Sequence, residues 1–379
     1  MANPMHARTR TPALATGLLG AALALAACSA GTPSSSAPAH VTAPVTPRRS
    51  STAAPTSSGT SAPSTTGARA TGSGSAGVPS TMAAGSPLPE PAALAPFVTP
   101  AASGQGAWSP AGRAVGGVPA VYETTLVPPG GTHPAGIAWM DTRLLSARLY
   151  SGSKSPGGGP YRYTAPILPA QAATLVAAFN GGFMMNAAGG GYYTEGRMVV
   201  PLVVGAASLV IYTNGSVNVG AWGTDVTMTP SVASVRQNLV PLVAGGQPTA
   251  QAASADWQAW GATCAATSCT APVGLESQWR SGLGVTADGA LVYVDGPALD
   301  PLQVAQLLVR AGVVRGMELD INPDWPDFAT YDPATAGGLA APANGSELLP
   351  GTVQGPATFF AAWWARDFVT MSARPAPAG

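Results

Sequence analysis

The stretch "LVIYTNGSVNVGAW", residues 209–222, is two β-rich runs hinged on Asn214 and Gly215. Asn-Gly supplies the two positive-φ positions of a type I′ turn, so the stretch predicts a β-hairpin. "GLGVTADGALVYVDG", residues 282–296, repeats the logic with Asp288 and Gly289 at its bend. Sheet built from such hairpins is antiparallel, which excludes a repeating βαβ array.

Working outward, "GIAWMDTRLLSARLYSG" (136–152) predicts two strands or one bent strand, and "LPAQAATLVAAFN" (168–180) a short helix starting near Pro169 that leads into a strand over 175–179. Asp300 caps and Pro301 starts a second helix in "LDPLQVAQLLVRAG", Gly312 stops it, and "VVRGMELDIN" continues as a strand. "RDFVTMSA" (366–373) predicts the last strand. Residues 107–372 are therefore expected to form one α+β domain, mainly antiparallel sheet with hairpins and a few packed helices.

The 379-residue chain is uneven in composition. Residues 1–28 carry a basic start (Arg8, Arg10), an apolar run and the closing "LAAC". That ending resembles a bacterial lipobox, which implies cleavage before Cys28 and lipid on its thiol and new amino group. Residues 29–106 are Ser, Thr, Ala, Pro and Gly with little that is large and apolar, and are expected to form a disordered tether spanning roughly 50 Å. The expected location is extracytoplasmic, with the membrane reached only through the lipid anchor.

Net charge is zero, but residues 1–89 hold five arginines and no acid, which leaves the remainder acidic. Without a basic stripe, nucleic acid is excluded as a partner, and a monomer is expected. Cys264 and Cys269 are the only cysteines besides Cys28, and in an exported chain they are expected to form a local disulfide. His133 is the only histidine after the tether, too few for a His-rich metal centre.

Three stretches concentrate chemistry. In "VAAFNGGFMMN" (176–186), Gly181 and Gly182 follow a strand end, where positive φ and bare backbone let N–H groups approach a ligand; Asn180 adds an amide, and Phe183 returns to bulk. In "MELDINPDW" (317–325), alternation puts Met317, Leu319 and Ile321 on one face and Glu318, Asp320 and Asn322 on the other. Alternate residues stand about 6.8 Å apart, comparable to the roughly 5 to 9.5 Å between paired carboxyls of glycoside hydrolases. Such a pair repels, so one acid should hold its proton to higher pH. In "QWRSGLGVTADG" (278–289), Arg280 begins a strand ahead of Gly282 and Gly284.

Asp320, Asn322 and Asp324 also copy the opening of a calcium loop, although Trp325 stands where its turn glycine belongs and Tyr331 where its closing glutamate belongs. The site is expected to need no cofactor, with a calcium-like divalent ion near Asp320–Asp324 as the open alternative.

Taken in order, the three stretches resemble the phosphodiester glycosidase family, over roughly residues 135–372. The family's strand-end Asn-Gly-Gly-Phe falls on Asn180, Gly181, Gly182 and Phe183, and its Arg-x-x-x-Gly on Arg280 and Gly284. Its last motif, Leu-Asp-Gly-Gly-Gly-Ser, matches at Leu319 and Asp320, but Ile321, Asn322 and Pro323 replace the glycines. The resemblance implies a hydrolase that releases a sugar from a glycosyl phosphodiester. Arg280 and the N–H groups of Gly181 and Gly182 would take the growing phosphate charge, and Asp320, with Glu318 as alternate, would activate water or stabilise the sugar cation. Asn180 and Asn322 would hold hydroxyls or phosphate oxygens. The competing expectation is a lipid-anchored lipoprotein that binds envelope glycan without catalysis.

Overall fold

Both glycine-hinged stretches close hairpins, and they do so in different sheets. The computed structural model describes residues 86–254, 260, 278–335 and 337–375. The lipobox with Cys28, the tether up to residue 85 and the Cys264/Cys269 pair lie outside the described residues. In chain order the strands are β1 (Ser109–Ala111), β2 (Val121–Leu126), β3 (Ala135–Met140), β4 (Leu145–Tyr150), β5 (Leu175–Asn180), β6 (Tyr192–Thr194), β7 (Arg197–Val200), β8 (Ala207–Tyr212) and β9 (Val217–Ala221). They continue as β10 (Val232–Gln237), β11 (Val243–Ala244), β12 (Gln247–Pro248), β13 (Gln278–Thr286), β14 (Leu291–Leu299), β15 (Val313–Glu318), β16 (Phe328–Tyr331), β17 (Gly345–Glu347) and β18 (Phe368–Ala373). The α-helices are α1 (Pro169–Ala172) and α2 (Pro301–Arg310).

The strands form three sheets, ordered β1-β2-β3-β14-β13-β15-β11-β12, β7-β6-β10-β8-β9 and β17-β16-β5-β18-β4. Every ladder between named strands is antiparallel. This corrects the expected α+β class: the described domain is mainly β. The reason is local. The helix started by Pro169 is one turn long, and among the described residues only α2 is long enough to cover a sheet face.

The turns differ from expectation as well. In the first hairpin Gly215 N donates to Tyr212 O (2.8 Å) and Tyr212 N to Ser216 O (2.9 Å). Of the turn residues only Gly215 has positive φ, 76°. The second repeats this, with Gly289 N to Thr286 O (3.2 Å), Thr286 N to Ala290 O (3.0 Å) and φ 96° at Gly289. One left-handed glycine after an i to i+3 turn thus replaces the two-residue type I′ bend. Asn214 instead accepts the Ser216 N–H at 2.9 Å, a local bond that suits negative φ.

Leu283, Tyr293 and Met317 of the eight-stranded sheet share one core with Phe179, Phe328 and Val369 of the sheet containing β5 and with Leu209 and Ile211 of the sheet containing β8. The opposite face of the eight-stranded sheet takes α2, whose Val304, Leu307 and Leu308 are buried. Gly282 makes room there, since a Cβ on it would lie 2.6 Å from Val304 Cγ1.

The packed domain starts earlier than residue 107. Leu88 is buried and its N–H donates to Asp141 Oδ2 at 2.8 Å. Leu94 N donates to Gly106 O at 2.8 Å, and the Arg310 guanidinium lies 3.9 Å over the Phe97 ring. The apolar residues Leu88, Leu94 and Phe97 give this segment surface to bury, which the rest of the expected tether lacks.

Candidate functional site

The chain leaves β5 through Asn180, whose side chain is fully engaged and buried. Its Oδ1 accepts from Tyr293 OH (2.7 Å) and Asp327 N (3.3 Å), and its Nδ2 donates to Ser281 Oγ (3.1 Å) and Gly181 O (2.7 Å). Asn180 therefore ties the end of β5 to β13, to β14 and to the entry of β16; its amide is not presented to solvent.

The two glycines that follow are not held by the backbone dihedral expected of them. Neither has positive φ, and Gly181 N–H is committed to Asp367 O at 2.8 Å. What requires glycine is the closeness of polar side chains. A Cβ on Gly181 would lie 2.1 Å from Asp367 Oδ2, and one on Gly182 would lie 2.6 Å from Asn238 Oδ1. Phe183 is core, and its N–H donates to Asn238 Oδ1 at 2.9 Å.

Around these glycines three buried ion pairs converge. Arg236 of β10 donates through Nε to Asp367 Oδ2 at 2.7 Å, and its Nη2 reaches the Phe183 carbonyl. Arg280 of β13 donates through Nη1 to Glu318 Oε1 at 2.5 Å and through Nε to Leu299 O at 2.8 Å. Arg366, just before β18, donates through Nη2 to Asp320 Oδ2 and to Gly182 O, the latter at 2.9 Å. Asn238 joins the groups, its Nδ2 donating to Glu318 O (2.9 Å) and Leu319 O (3.1 Å). The contacts thus link Asn180, Gly181, Gly182, Phe183, Arg280, Glu318 and Asp320 into one network.

The polar face expected of residues 318–322 is enclosed, not half-solvated. Glu318 is 0 % and Asp320 2 % exposed, while Asn322 is exposed. The strand ends at Glu318, and Ile321 packs with Phe183 and Leu242, apart from the core that holds Met317 and Leu319. The break has a cause: Asp320 Oδ1 accepts the N–H groups of Ile321 (2.8 Å) and Asn322 (3.0 Å) and turns the chain. Among the described residues no three His, Cys, Asp or Glu side chains are gathered so as to hold a metal ion.

Electrostatics separate the two acids. Burial pushes Glu318 up to about 7, against the pull of Arg280 and with a further push from Asp320. Burial pushes Asp320 up to about 6, opposed by Arg366 and by the N–H groups of Asn322 and Ile321. Behind Asn180 stands a second acidic group. Burial drives Asp327 up to about 8, with a further push from Glu347. Asp295 is raised well above its ordinary value by burial and then by Asp327, Glu123 and Glu347. No hydrogen bond of normal geometry reaches either carboxyl among the described residues, and burial favours the neutral form of both.

Arg366 and Asp367, Arg236 and Asn238 were not picked out by the sequence motifs. Their signal is charge or amide set between apolar residues that enter strands, in "WWARDFV" (363–369) and "SVRQNLV" (234–240). Arg280, on which the motif order centres, lies behind Glu318 with no exposure. Arg366, whose guanidinium rests 4.7 Å over the half-buried Trp325 ring, is the cation beside Asp320.

Fold and site together define a mainly-β domain with a buried carboxylate and guanidinium network where its sheets meet. The chain matches no protein-family model and no curated protein. Among solved structures it is similar to the zebrafish N-acetylglucosamine-1-phosphodiester alpha-N-acetylglucosaminidase catalytic domain auto-inhibited by its pro-peptide, at 17% identity and TM-score 0.42, over 70% of this chain and 88% of that one. It is also similar to a hypothetical protein from Synechocystis, at 11% identity and TM-score 0.35, over 70% of this chain and 64% of that one. These likenesses are weak and concern the fold alone.

Proposed function

We propose that this domain hydrolyses the bond between the anomeric carbon of a sugar and a phosphodiester oxygen, with Asp320 and Arg366 at the reacting centre. The proposed setting is extracytoplasmic and lipid-anchored, resting on the motif that ends at Cys28. The observation that carries the reading is the joining, through direct contacts, of three motifs far apart in the chain, together with an acid pushed up to about 6 beside a guanidinium.

Water attacks the anomeric carbon, its oxygen forms the new C–O bond, and its proton passes to the Asp320 carboxylate. The sugar–oxygen bond breaks and its electron pair stays on the phosphate, which goes from a monoanionic diester to a monoester with up to two charges. Arg366 faces that growing charge and favours the transition state over the ground state. An acid with a pKa near 6 is ionised at pH 7 yet basic enough to accept a proton. Arg280 and Glu318 act behind it as a positioning pair that fixes the chain at Leu319 and Asp320.

The test is release of free sugar from a panel of glycosyl-1-phosphodiesters. Asp320→Asn is expected to lower the rate by at least about 100-fold while the melting temperature shows the fold retained. A folded parent silent on the whole panel, or an Asn variant as active as the parent, overturns the proposal. A second reading, glycan binding without turnover, is favoured by the replacement of the family's glycines with Ile321, Asn322 and Pro323. Binding of the same panel, with no hydrolysis and no effect of Asp320→Asn, would select it.

A further inference from the structure

Trp363 is 64 % exposed, the one aromatic side chain among the described residues that stands out in solvent. Its neighbour Trp364 is fully buried. The Trp363 ring meets Trp364 edge-on, centroids 5.7 Å apart at 66°, and Trp364 meets Trp325 at 5.2 Å and 64°. Trp325 carries the Arg366 guanidinium at 4.7 Å, and Arg366 binds Asp320. An unbroken series of side-chain contacts therefore runs from the exposed indole to the proposed reacting centre.

The segment that carries Trp363 is held firmly. Ser153 N donates to Trp364 O (3.0 Å), and Lys154 N (3.1 Å) and Ser155 N (2.9 Å) both donate to Ala365 O. The two backbones pass so closely at Gly152 that a Cβ there would lie 2.3 Å from Ala365 O. A large flat side chain kept in water on a pinned backbone costs little entropy to use in binding.

Two buried donors in the same series lack an acceptor among the described residues: Trp364 Nε1 and Arg366 Nε.

We infer that Trp363 is the platform on which a pyranose ring of the substrate stacks, linked to Arg366 through Trp364 and Trp325, and that it sets preference for a phosphate-linked saccharide over a plain alkyl phosphodiester. This deepens the function proposed above and rests on it for the position of the reacting bond. The apolar C–H face of a pyranose covers the indole as an aromatic ring would, leaving its hydroxyls and phosphate free for polar partners.

The experiment uses the full chain as parent, Trp363→Ala and Trp363→Phe, and two assays. The first titrates methyl glycosides of glucose, mannose and N-acetylglucosamine by calorimetry; the second measures hydrolysis of the glycosyl-1-phosphodiester panel. Trp363→Ala is expected to weaken glycoside binding about tenfold and to raise KM about tenfold with a smaller change in kcat, Trp363→Phe to restore most of both. Because Trp363 lies mostly in water, the melting temperature of both variants should match the parent's.

Parental affinity and KM in Trp363→Ala overturn the inference, even where hydrolysis itself is observed. If the parent binds glycosides but cleaves nothing, and Trp363→Ala abolishes binding, the platform stands and the hydrolase reading falls. A parent that binds no glycoside and cleaves no panel member overturns both.

Discussion

A methyl group on Gly182 would sit 2.6 Å from Asn238 Oδ1 and 2.9 Å from Arg236 Nη2. Asn238 spans Phe183, Glu318 and Leu319, and Arg236 is paired with Asp367, so neither can retreat without leaving buried polar groups unsatisfied. Gly182→Ala is therefore expected to destabilise the protein by about 1–3 kcal/mol, read as a lower urea midpoint with unchanged slope. A midpoint equal to the parent's would show that the network repacks freely. The glycine pair itself was legible in the sequence as a place where side chains are excluded. What excludes them was not legible, because Asn238 and Asp367 lie 55 residues from Phe183 and 131 from Arg236, respectively.

Among the elements, α2 was the most legible. Asp300 Oδ1 accepts Gln303 N at 2.7 Å, Gln303 Oε1 accepts Asp300 N at 3.0 Å, and Pro301 opens the first turn, all local features. Asp300→Ala should cost about 1 kcal/mol of stability, measured by the same unfolding experiment, and Asp300→Asn clearly less. An Ala variant as stable as the parent would mean that packing of Val304, Leu307 and Leu308 alone holds the helix. Strand β15 was legible only in part. Alternation predicts its two faces through Asn322, but Asp320 takes the N–H groups of the next two residues and diverts the chain, a competition that periodicity does not record.

Across the whole molecule, buried carboxyls dominate the response to pH. Glu123 and Glu318 are raised to about 7, Asp320 to about 6 and Asp327 to about 8, and Asp295 is raised too, burial being the largest cause for each. The folded state thus binds more protons than the unfolded chain above about pH 4, where free carboxyls ionise. Their stabilising contribution is full below that pH and is lost as pH rises through 6 to 8. Melting temperature should fall from pH 5 to 8.5, and Asp327→Asn should flatten the alkaline part of the curve; a rise over that range would refute the assignment. By itself the sequence determined where the chain turns, which helix caps itself and which three segments carry polar groups, since those follow from dihedral preferences and periodicity within a few residues. Only the tertiary structure decided that Asn180 and Arg280 are enclosed and that Arg366 is the cation facing Asp320. A buried charge takes the partner that packing brings to it, and for Asp320 that partner lies 46 residues along the chain, where no local pattern points.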